Sequence, residues 1–300
     1  MDGIINILKP PGMTSHDVVA FIRRRLCLKK VGHTGTLDPN ATGVLPICLG
    51  KATRLTEYLQ DTNKEYRALL HLGISTDTQD ADGQILRSVP MPDVQAEDVL
   101  RVFRQFIGQI SQIPPMYSAV KKNGQKLYEL ARKGKTVDRE ARKVHIFSLS
   151  LRKFFSDRDG FPSFIFDVIC SKGTYIRTLC TDIGQSLGGN GHLAFLVRTM
   201  SGPFSITTAL TLEDFADCLA SGKLNEAVLP LDYPLTPLPA CRLDEAAAAA
   251  VRHGRSISDN VVSASVGSTG LVRLYTESGE FLAVGQRMPN GTIRPDKVFV

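Results

Sequence analysis

The chain has 300 residues, of which 43% are hydrophobic and 22% are charged, proportions that are ordinary for a globular protein of about two domains. No run of about eighteen apolar residues occurs, so a membrane-spanning helix is not expected. The net charge of +6 mildly favours a polyanionic partner, although many basic proteins bind no nucleic acid.

The N-terminus and the cysteines indicate the compartment in which the chain works. Residues 1–15 carry Asp2 and lack the basic start and the long apolar centre of a signal peptide, so we expect a cytoplasmic protein. The six cysteines form no C-x-x-C pair. Reduced, buried thiols are therefore expected, rather than a disulfide framework or a metal site.

Helices and strands follow one another in the first third of the chain. Apolar residues at helical spacing come after Thr14 and Ser15, either of which could cap a helix. A stretch rich in glycine, threonine and proline comes next. In chain order, the predicted elements are a helix at 14–28, a loop at 32–46, a helix at 52–60, a strand at 65–76 and an amphipathic helix at 96–108.

A basic segment interrupts this pattern. From Lys121 to Lys143 there are nine Lys or Arg residues and three acidic residues, a composition that differs from both flanks. We interpret residues 115–145 as a basic insertion that contacts nucleic acid; a solvated helix face followed by a charged loop is the alternative. Beyond it, the patterns predict strands at 145–155 and 163–171, then a turn and a helix within 172–188.

A proline-rich segment divides the chain. Four prolines between residues 230 and 239 are typical of an interdomain connector. After the connector, a short helical pattern at 244–254 and several strand-like runs predict a small β-rich domain. We therefore predict two domains, at residues 1–232 and 240–300.

Three generic motifs are incomplete. Gly50-Lys51 lacks the first glycine of a phosphate-binding P-loop. Residues 189–194 match G-x-G-x-x-A but follow a helix-like segment, whereas a dinucleotide-binding turn follows a strand. Residues 78–89 resemble a calcium loop, but Val89 stands where a bidentate glutamate is needed. The sequence therefore does not indicate binding of nucleotides, dinucleotides or calcium through these motifs.

The stretch GHTGTLDPNATGVLP, at 32–46, presents one carboxylate, Asp38, among glycines, threonines and prolines. An aspartate acts as a nucleophile or as a base only if it stays ionised and correctly aimed. The glycines of this stretch tolerate unusual backbone angles and could bring Asp38 close to a bulky substrate. The alternative is that Asp38-Pro39 only initiates a turn.

A second candidate segment runs from Lys172 to Arg177. Arg177 could pair with a carboxylate and keep it charged. Tyr175 could stack on a base or another ring. The alternative is a β-turn with a surface arginine and a buried tyrosine.

Two long segments, GHTGTLDPNATGVLPICLGKATR and KGTYIRTLCTDIG, resemble the signature segments of bacterial tRNA pseudouridine synthases of the TruB type. Four further segments are similar and occur in the family's order: NILKPPGMTSHDVV, NKEYRALLHLGISTDTQDADG, IPPMYSAVKKNGQKLYELARKG and HLAFLVRTMSGPF. The resemblance covers about residues 3–232, while the remaining residues share only the general character of a PUA-type RNA-binding domain. Several long motifs in order are far more specific than any one short pattern.

The resemblance implies an α+β fold: a mixed, largely antiparallel sheet with flanking helices, a basic thumb-like insertion at about 115–145, and a small C-terminal PUA-like domain. It implies an isomerase without metal or cofactor, which breaks the uridine N1–C1′ bond, turns the base and rejoins it through C5. The expected substrate is the uridine at position 55 of the tRNA TΨC stem-loop, reached by base flipping. A monomer without membrane association or an obligatory protein partner is expected.

The resemblance also assigns roles to residues. By its place in GTLDP, Asp38 would be the essential carboxylate, which attacks the sugar, attacks the base or abstracts a sugar proton. Tyr66, in KEYRA, would stack on the target base and help to remove the C5 proton, while Arg177 would hold Asp38 ionised. The other implied positions are Tyr175 and Lys172 in the pocket, His33 beside the extruded loop or in the gap left by the flipped nucleotide, Leu196 against the target, and Lys9 bracing the signature loop.

Three positions depart from the family pattern. Asn40 stands where an apolar residue is usual, and Gly191 and Val197 stand where alanine and arginine are commoner. None of them is an implied catalytic position. The departures concern the local packing around the loop.

Three other functions remain open. The catalytic subunit of a guide-RNA particle would rely on protein partners and often carries a longer basic tail, which this sequence lacks. An RNA-binding module without catalysis would need only the charged surface, although the presence of Asp38, Tyr66 and Arg177 argues against it. A retaining glycosidase needs paired carboxylates, for which Asp80 and Asp82 are the candidates, but tryptophan is absent and no sugar-binding aromatic cluster occurs.

Overall fold

In the computed structural model, residues 1–118, 120–122, 124–131, 133–156, 158–261 and 269–299 are described. They form a nine-stranded sheet, a five-stranded sheet and two short hairpins, with helices packed against the two larger sheets. Ala119, Asn123 and Arg132 of the predicted basic insertion lie outside the described residues, as do residues 262–268 and Val300 of the predicted C-terminal domain.

Helices and strands are interspersed along the described residues. The α-helices are α1 (Ser15–Arg25), α2 (Thr56–Gln60), α3 (Ala96–Phe106), α4 (Leu127–Ala131), α5 (Ile176–Ser186), α6 (Leu212–Ala220), α7 (Leu224–Ala227) and α8 (Glu245–Arg252). Short 3₁₀ helices occupy Gly50–Leu55, Ile206–Thr208, Tyr233–Leu235 and Asp259–Val261. The strands are β1 (Gly3–Lys9), β2 (Val31–His33), β3 (Thr42–Leu49), β4 (Lys64–Leu72), β5 (Ile74–Thr76), β6 (Ile85–Ser88), β7 (Gly108–Gln112), β8 (Lys121–Lys122), β9 (Gln125–Lys126), β10 (Arg142–Phe155), β11 (Ser163–Cys170), β12 (Gly191–Ser201), β13 (Phe204–Ser205), β14 (Ala240–Leu243), β15 (Ile257–Ser258), β16 (Gly270–Thr276), β17 (Phe281–Arg287) and β18 (Thr292–Val298).

The large sheet is mixed and mostly antiparallel. Its strands run in the order β1, β3, β12, β4, β11, β10 and β7, while β2 pairs with β3 and β13 pairs with β12. Among the described strand pairs of this sheet, β12 and β3 alone are parallel, with Val197 opposite Thr42 and Arg198 opposite Gly43. The predicted α+β fold with a mixed, largely antiparallel sheet is therefore confirmed.

Strand β3 occupies part of a predicted loop. The loop predicted at 32–46 is wrong at both ends, because β2 includes Gly32 and His33 and β3 begins at Thr42. The strand lies between β1 and β12, and its backbone comes very close to β12. A Cβ at Gly43, where φ is +111°, would lie 2.2 Å from the carbonyl oxygen of Arg198, so only glycine permits this approach.

Helices bury their apolar sides against the large sheet. Phe103 of α3 and Leu179 of α5 pack with Phe164 of β11 in one buried cluster. Val18 of α1 packs with Ile5 of β1 in another. Each such side chain removed from water contributes about 1.5–3 kcal/mol, before the opposing loss of conformational entropy. None of the described helices is both long and apolar enough to cross a membrane.

Helix α1 precedes the Asp38 segment and begins at a capping box. The Thr14 hydroxyl accepts a hydrogen bond from the Asp17 N–H at 3.1 Å, and the Asp17 carboxylate accepts one from the Thr14 N–H at 2.9 Å. These contacts satisfy backbone donors that a helix start leaves unpaired. The predicted helix is confirmed with Thr14 as its cap, but it ends at Arg25, shortly before Cys27 takes a left-handed φ of +52°.

Two of the departures from the family pattern lie on β12. A Cβ at Gly191 would lie 3.1 Å from the Cys180 carbonyl oxygen and 3.3 Å from the Gly184 Cα, both tighter than ordinary contacts. Glycine therefore lets the start of β12 approach α5 closely. Nothing in the structure explains valine at 197.

The five-stranded sheet lies at the C-terminal end of the chain. Its order is β14, β16, β17, β18 and β15, and α8 packs against it. Phe299 and Val284 join a buried cluster with Ile4 of β1, and Lys51 donates a hydrogen bond to the Phe299 carbonyl at 3.1 Å. A sheet-rich C-terminal part is thus confirmed, while the boundaries 1–232 and 240–300 stay predictions.

The outer edge of β1 is covered by a distant part of the chain. Ile4 and Leu229 exchange backbone hydrogen bonds of 2.9 and 2.8 Å. Further along the strand, the Leu8 N–H donates to the Leu210 carbonyl at 2.7 Å, and the Leu210 N–H donates to the Asn6 carbonyl at 2.9 Å. Strand β1 is therefore hydrogen-bonded on both sides, although it ends the strand order of the sheet.

Candidate active site

Asp38 lies between β2 and β3, in a segment that is fixed on both sides of it. The Ser15 hydroxyl accepts a hydrogen bond from the Leu37 N–H at 2.8 Å and donates one to the Leu37 carbonyl at 3.1 Å. After Asp38, the Pro39 carbonyl accepts a hydrogen bond of 2.8 Å from the Lys9 ammonium. The backbone that presents the Asp38 carboxylate is therefore held by the N-terminal part of the chain.

Arg177, in the first turn of α5, forms a bidentate ion pair with Asp38. Its Nε lies 3.0 Å from Asp38 Oδ2, and its Nη2 lies 3.3 Å from Oδ1. The Arg177 side chain is 7% exposed, whereas the Asp38 side chain is 46% exposed. The guanidinium is enclosed while the carboxylate faces an opening, and the paired contact fixes the direction of the carboxylate.

The Arg177 guanidinium contacts three further oxygens. Its Nη2 donates to the Tyr117 carbonyl at 2.8 Å, and its Nη1 donates to the Thr78 carbonyl at 3.3 Å. The same Nη1 lies 3.5 Å from Oδ2 of Asp80, whose side chain is 19% exposed. Asp80 thus belongs to the site, although the sequence suggested it only as a glycosidase carboxylate.

The surroundings of Asp38 oppose its charge. Burial raises the pKa of Asp38 above its ordinary value, the Arg177 guanidinium acts against that rise, and the Asp80 carboxylate adds to it. The ionised form of Asp38 therefore depends on Arg177. It is the role that the family resemblance implied for Arg177.

Tyr66 lies on β4 and packs, half-buried, against the core cluster that contains Leu37. Burial raises the pKa of Tyr66, whereas the Arg198 guanidinium, within hydrogen-bonding reach of the hydroxyl, acts against that rise. The negative charge of Asp38 also contributes to the rise, and Leu37, the residue before Asp38, belongs to the cluster that Tyr66 contacts. The structure therefore brings Asp38, Tyr66 and Arg177 together.

Leu196 and Tyr175 stand on two elements beside this group. Leu196, on β12, is 8% exposed and lies opposite Ala68 of β4. Tyr175 immediately precedes α5; its N–H donates to the Gln112 side-chain oxygen at 3.0 Å, and its carbonyl accepts a hydrogen bond of 3.2 Å from the Gln112 amide. Gln112 is 1% exposed, and it holds the turn before Arg177 in a way that sequence reasoning missed.

Lys172 and His33 occupy different surroundings. The Lys172 ammonium pairs with Asp61 at 2.7 Å, where both side chains are well exposed, and the structure does not join it to the Asp38 carboxylate. His33 ends β2, and burial lowers its pKa, with the Arg198 charge contributing, so the ring is neutral at pH 7. Its Nδ1 has no hydrogen-bond partner within the described residues. Across all the residues that the structure describes, no group of three His, Cys, Asp or Glu side chains is placed to hold a metal ion.

Lys9 is fully buried and donates to two carbonyl oxygens, those of Pro10 and Pro39, at 2.8 Å each. Burial lowers the pKa of Lys9 from 10.5 to about 8, although the Asp38 charge acts in the opposite direction. The unfolded chain therefore binds more protons at this lysine than the folded chain does between those two values. The burial of Lys9 therefore lowers the stability of the fold by its full amount below about pH 8, and this loss becomes smaller as the pH rises towards 10.5.

Replacement of Lys9 by methionine should remove that pH dependence. We expect the free energy of unfolding of the wild type, relative to Lys9→Met, to increase from about pH 7.5 to about pH 9.5, as measured by urea unfolding at both values. Lys29→Met, which changes an exposed lysine, is the control and should show a difference that does not vary with pH. Parallel behaviour of Lys9→Met and Lys29→Met would contradict this account.

Asn40 connects the Asp38 segment to the segment that carries Asp80. Its side-chain amide donates to both carboxylate oxygens of Asp82, at 2.6 and 2.7 Å. An apolar residue at this position could not make these contacts. The departure from the family pattern at Asn40 therefore supplies a cross-link between two loops of the site.

Asn40→Leu should lower turnover by about two- to fivefold, because an exposed hydrogen-bonded contact contributes on the order of 1 kcal/mol. Asp82→Ala should give the same loss, and the double variant should lose no more than either single variant. The measurement is the single-turnover rate of each protein. Additive losses in the double variant would show that the two residues act separately.

The first residues of the basic insertion contact the site. Strands β8 and β9 form a short hairpin that leads into α4. The Arg139 guanidinium donates to the Pro114 carbonyl at 3.1 Å, which closes the base of the segment. Because Tyr117 accepts a hydrogen bond from Arg177, the insertion is connected directly to the ion pair of Asp38.

Sequence profiles of one family match almost the whole chain. A profile described as the N-terminal domain of TruB family pseudouridylate synthases matches residues 23–176. A profile described as a tRNA pseudouridylate synthase B C-terminal domain matches residues 177–236. A third, described as the C-terminal part of pseudouridine synthase II TruB, matches residues 239–299.

Individual relatives are similar over most of their length. The tRNA pseudouridine synthase B of Alkaliphilus oremlandii is 51% identical over 263 residues, which are 87% of this chain and 84% of the relative. The protein of the same name from Geobacillus thermodenitrificans is 44% identical and covers 100% of both chains. Among solved structures, a Cbf5-Nop10-Gar1 complex contains a chain with a TM-score of 0.78 at 33% identity, covering 99% of this chain and 85% of that one. An H/ACA RNP bound to a substrate RNA containing 2′-deoxyuridine gives a TM-score of 0.76 at 30% identity, with the same coverage.

Proposed function

Because the chain belongs to the TruB family of pseudouridylate synthases, we propose that its Asp38 carries out the isomerisation of the uridine at position 55, in the TΨC loop of tRNA. The observation that carries this proposal is the bidentate contact of Asp38 with Arg177, next to Tyr66. The contact supplies one ionised and directed carboxylate at an opening. A reaction that depends on a single aspartate needs such a group.

The chain is an isomerase that acts on tRNA. In the reaction, the N1–C1′ bond of the uridine breaks and a C5–C1′ bond forms; C5 loses its proton and N1 gains one, so substrate and product have the same atoms. Asp38 attacks the sugar, attacks the base or abstracts a sugar proton. Each of these acts requires an ionised carboxylate, and Arg177 provides the charge that keeps it so.

Tyr66 and Leu196 receive the target base in this proposal. A base must leave the helical stack before an enzyme can act on it, and aromatic rings are suitable surfaces on which it can then stack. Tyr66 stacks on the uracil ring and helps to remove the C5 proton, while Leu196 packs against the same base. The proximity of Tyr66 to Asp38 supports this assignment.

The other residues hold the pocket and the RNA. Lys9 braces the Asp38 segment through the Pro39 carbonyl, which supports its proposed role. His33, as a neutral ring, supports the extruded loop or fills the gap that the flipped nucleotide leaves. Tyr175 lines the pocket, and Lys172 contacts the RNA after it leaves its exposed partner Asp61.

RNA binding in this proposal relies on two parts of the chain. The insertion at 115–145 closes over the TΨC arm, and the PUA-like domain at 240–300 contacts the RNA beside the catalytic domain at 1–232. Contacts between lysine or arginine and phosphates dominate affinity in such complexes and depend on salt. In this proposal the enzyme works as a monomer in the cytoplasm, without an obligatory protein partner or a cofactor.

Tritium release tests the proposed function. The wild-type chain is incubated with an unmodified tRNA transcript labelled with tritium at uridine C5, since isomerisation must expel that label. We expect release from the wild-type transcript and loss of the position-55 contribution when cytidine replaces that uridine. Release that is unchanged by the replacement would overturn the assignment of the target.

The remaining alternatives correspond to other outcomes of the same experiment. A protein that binds the transcript tightly and releases no tritium would be an RNA-binding module or an enzyme that waits for a guide RNA or a partner. The similarity to chains from H/ACA complexes is the reason to consider an enzyme that waits for a guide RNA or a partner. Addition of a guide RNA and partner proteins would distinguish the two.

A further inference from the structure

Arg198, on β12, is a buried cation without a carboxylate partner. The residue is 1% exposed, and the ion pairs of the described residues include none from Arg198. A buried charge is costly unless other groups compensate for it. The polar groups that surround this guanidinium therefore indicate what the residue does.

The compensating contacts lie on three parts of the active site. The Arg198 Nε donates to the Val44 carbonyl of β3 at 2.7 Å, and its Nη2 donates to the Gly35 carbonyl at 3.1 Å. Gly35 lies in the segment that presents Asp38. On the other side, Arg198 is directly opposite Tyr66 in the pairing of β12 with β4, and its positive charge acts on the Tyr66 hydroxyl.

Arg198 carries a permanent positive charge that acts on its neighbours. It contributes to the lowered pKa of His33 and of Lys9, so these two side chains lose their protons more readily. A guanidinium stays protonated at any pH at which proteins are folded. Arg198 thus keeps a permanent positive charge next to the Tyr66 oxygen.

We propose that Arg198 is a positioning residue of the isomerisation, which sets the spacing and orientation of Tyr66 relative to the Asp38 segment. This inference rests on the proposed function and concerns the same site. The Arg198 guanidinium binds the Gly35 carbonyl, and the same residue is paired with Tyr66 across β12 and β4, which ties the position of the tyrosine to that of the aspartate loop. Its charge also stabilises negative charge on the Tyr66 oxygen when the target base is bound.

A double-mutant cycle tests whether Arg198 acts through Tyr66. Arg198→Lys keeps the charge but loses the fork of donors, and Tyr66→Phe keeps the ring but loses the hydroxyl. We expect Arg198→Lys to lower the single-turnover rate by about thirtyfold in the wild-type background and by less than about threefold in the Tyr66→Phe background. The affinity for tRNA should stay within about threefold of the wild type, because phosphate contacts are untouched.

Two rate outcomes overturn the inference. The first is a wild-type rate in Arg198→Lys. The second is the same fold loss in both backgrounds, since an arginine that only supports the fold would act independently of the Tyr66 hydroxyl. If Tyr66→Phe is too slow to measure, the melting temperatures of the two single variants and the double variant replace the rates. A double variant whose change is the sum of the two single changes overturns the proposal, and a smaller change supports it.

A stability comparison keeps the inference testable if Arg198→Lys does not fold. Tyr66→Phe should lower the melting temperature, because it removes the polar group that faces the buried guanidinium. The control is Tyr233→Phe, which removes a hydroxyl that has no hydrogen-bond partner within the described residues. Equal melting temperatures for the wild type and Tyr66→Phe would overturn the contact. Failure of the proposed function would instead appear as absence of tritium release from the wild type.

Discussion

Asp38→Asn is expected to abolish isomerisation, with a loss of at least about 10⁴-fold in the single-turnover rate, while tRNA affinity stays within about tenfold of the wild type. The amide has nearly the shape of the carboxylate, but it carries no charge and can neither attack the substrate nor accept a proton. Affinity should persist because it depends mostly on phosphate contacts. Tritium release and filter binding on the same transcript measure the two quantities.

The control for this prediction is Asp214→Asn, which makes the same chemical change at the capping box of α6, away from the site. It should release tritium at the wild-type rate. Loss of tRNA binding in parallel with activity in Asp38→Asn would contradict the separation of binding from chemistry. Residual turnover near the wild-type rate would remove Asp38 from its central role.

Arg177→Ala is expected to lower the single-turnover rate by about 10²- to 10³-fold and to lower the stability of the fold, because Asp38 and Asp80 lose the buried cation that they share. The loss has two sources. Asp38 is no longer aimed by a bidentate contact, and Asp80 and Asp38 face each other without the cation between them. Affinity for tRNA should fall much less than turnover.

The pH dependence of Arg177→Ala has a defined direction. Burial already raises the pKa of Asp38, and Arg177 acts against that rise, so its removal moves the pKa further upward. Activity that needs the ionised carboxylate therefore increases with pH and reaches its midpoint at a higher pH in the variant than in the wild type. Single-turnover rates from about pH 5 to about pH 9 measure this, with Arg177→Lys as the variant that retains a charge. An unchanged midpoint would mean that Arg177 does not control the ionisation of Asp38.

The fold was predictable where a local pattern specifies an element. The helices α1 and α3 carry apolar residues at helical spacing after residues that cap them, and the structure has both within a few residues of their predicted limits. Strands β10 and β11 likewise follow the predicted runs. These elements were accessible because their signals lie within about a dozen neighbouring residues.

Other elements depend on partners far along the chain. Strand β3 contains Gly43 and Pro46, residues that favour a loop by local propensity. Its burial between β1 and β12 outweighs that preference. Strand β12 was not predicted, because its interrupted pattern acquires meaning only when β4 lies beside it. Tertiary pairing, rather than local sequence, defines both strands.

The residues of the site likewise include some that the sequence singled out and some that only the structure reveals. Asp38 and Arg177 stand in segments distinctive enough to be singled out, and the structure places them 3.0 Å apart. Asp80 and Gln112 carry no such signal, since each acts on Arg177 or on the turn before it from a separate part of the chain. Arg198 is equally invisible, because a buried arginine without a carboxylate is unusual only after the fold is known.

The backbone contacts along β1 have a consequence for synthesis on the ribosome. This strand emerges long before Leu210 and Leu229, with which one of its edges pairs. Until then its exposed edge offers unpaired donors and acceptors to any neighbouring strand, the usual starting point of aggregation. The edge of β1 is therefore covered only after the chain beyond Leu229 has been made, later than the last strand of the large sheet itself.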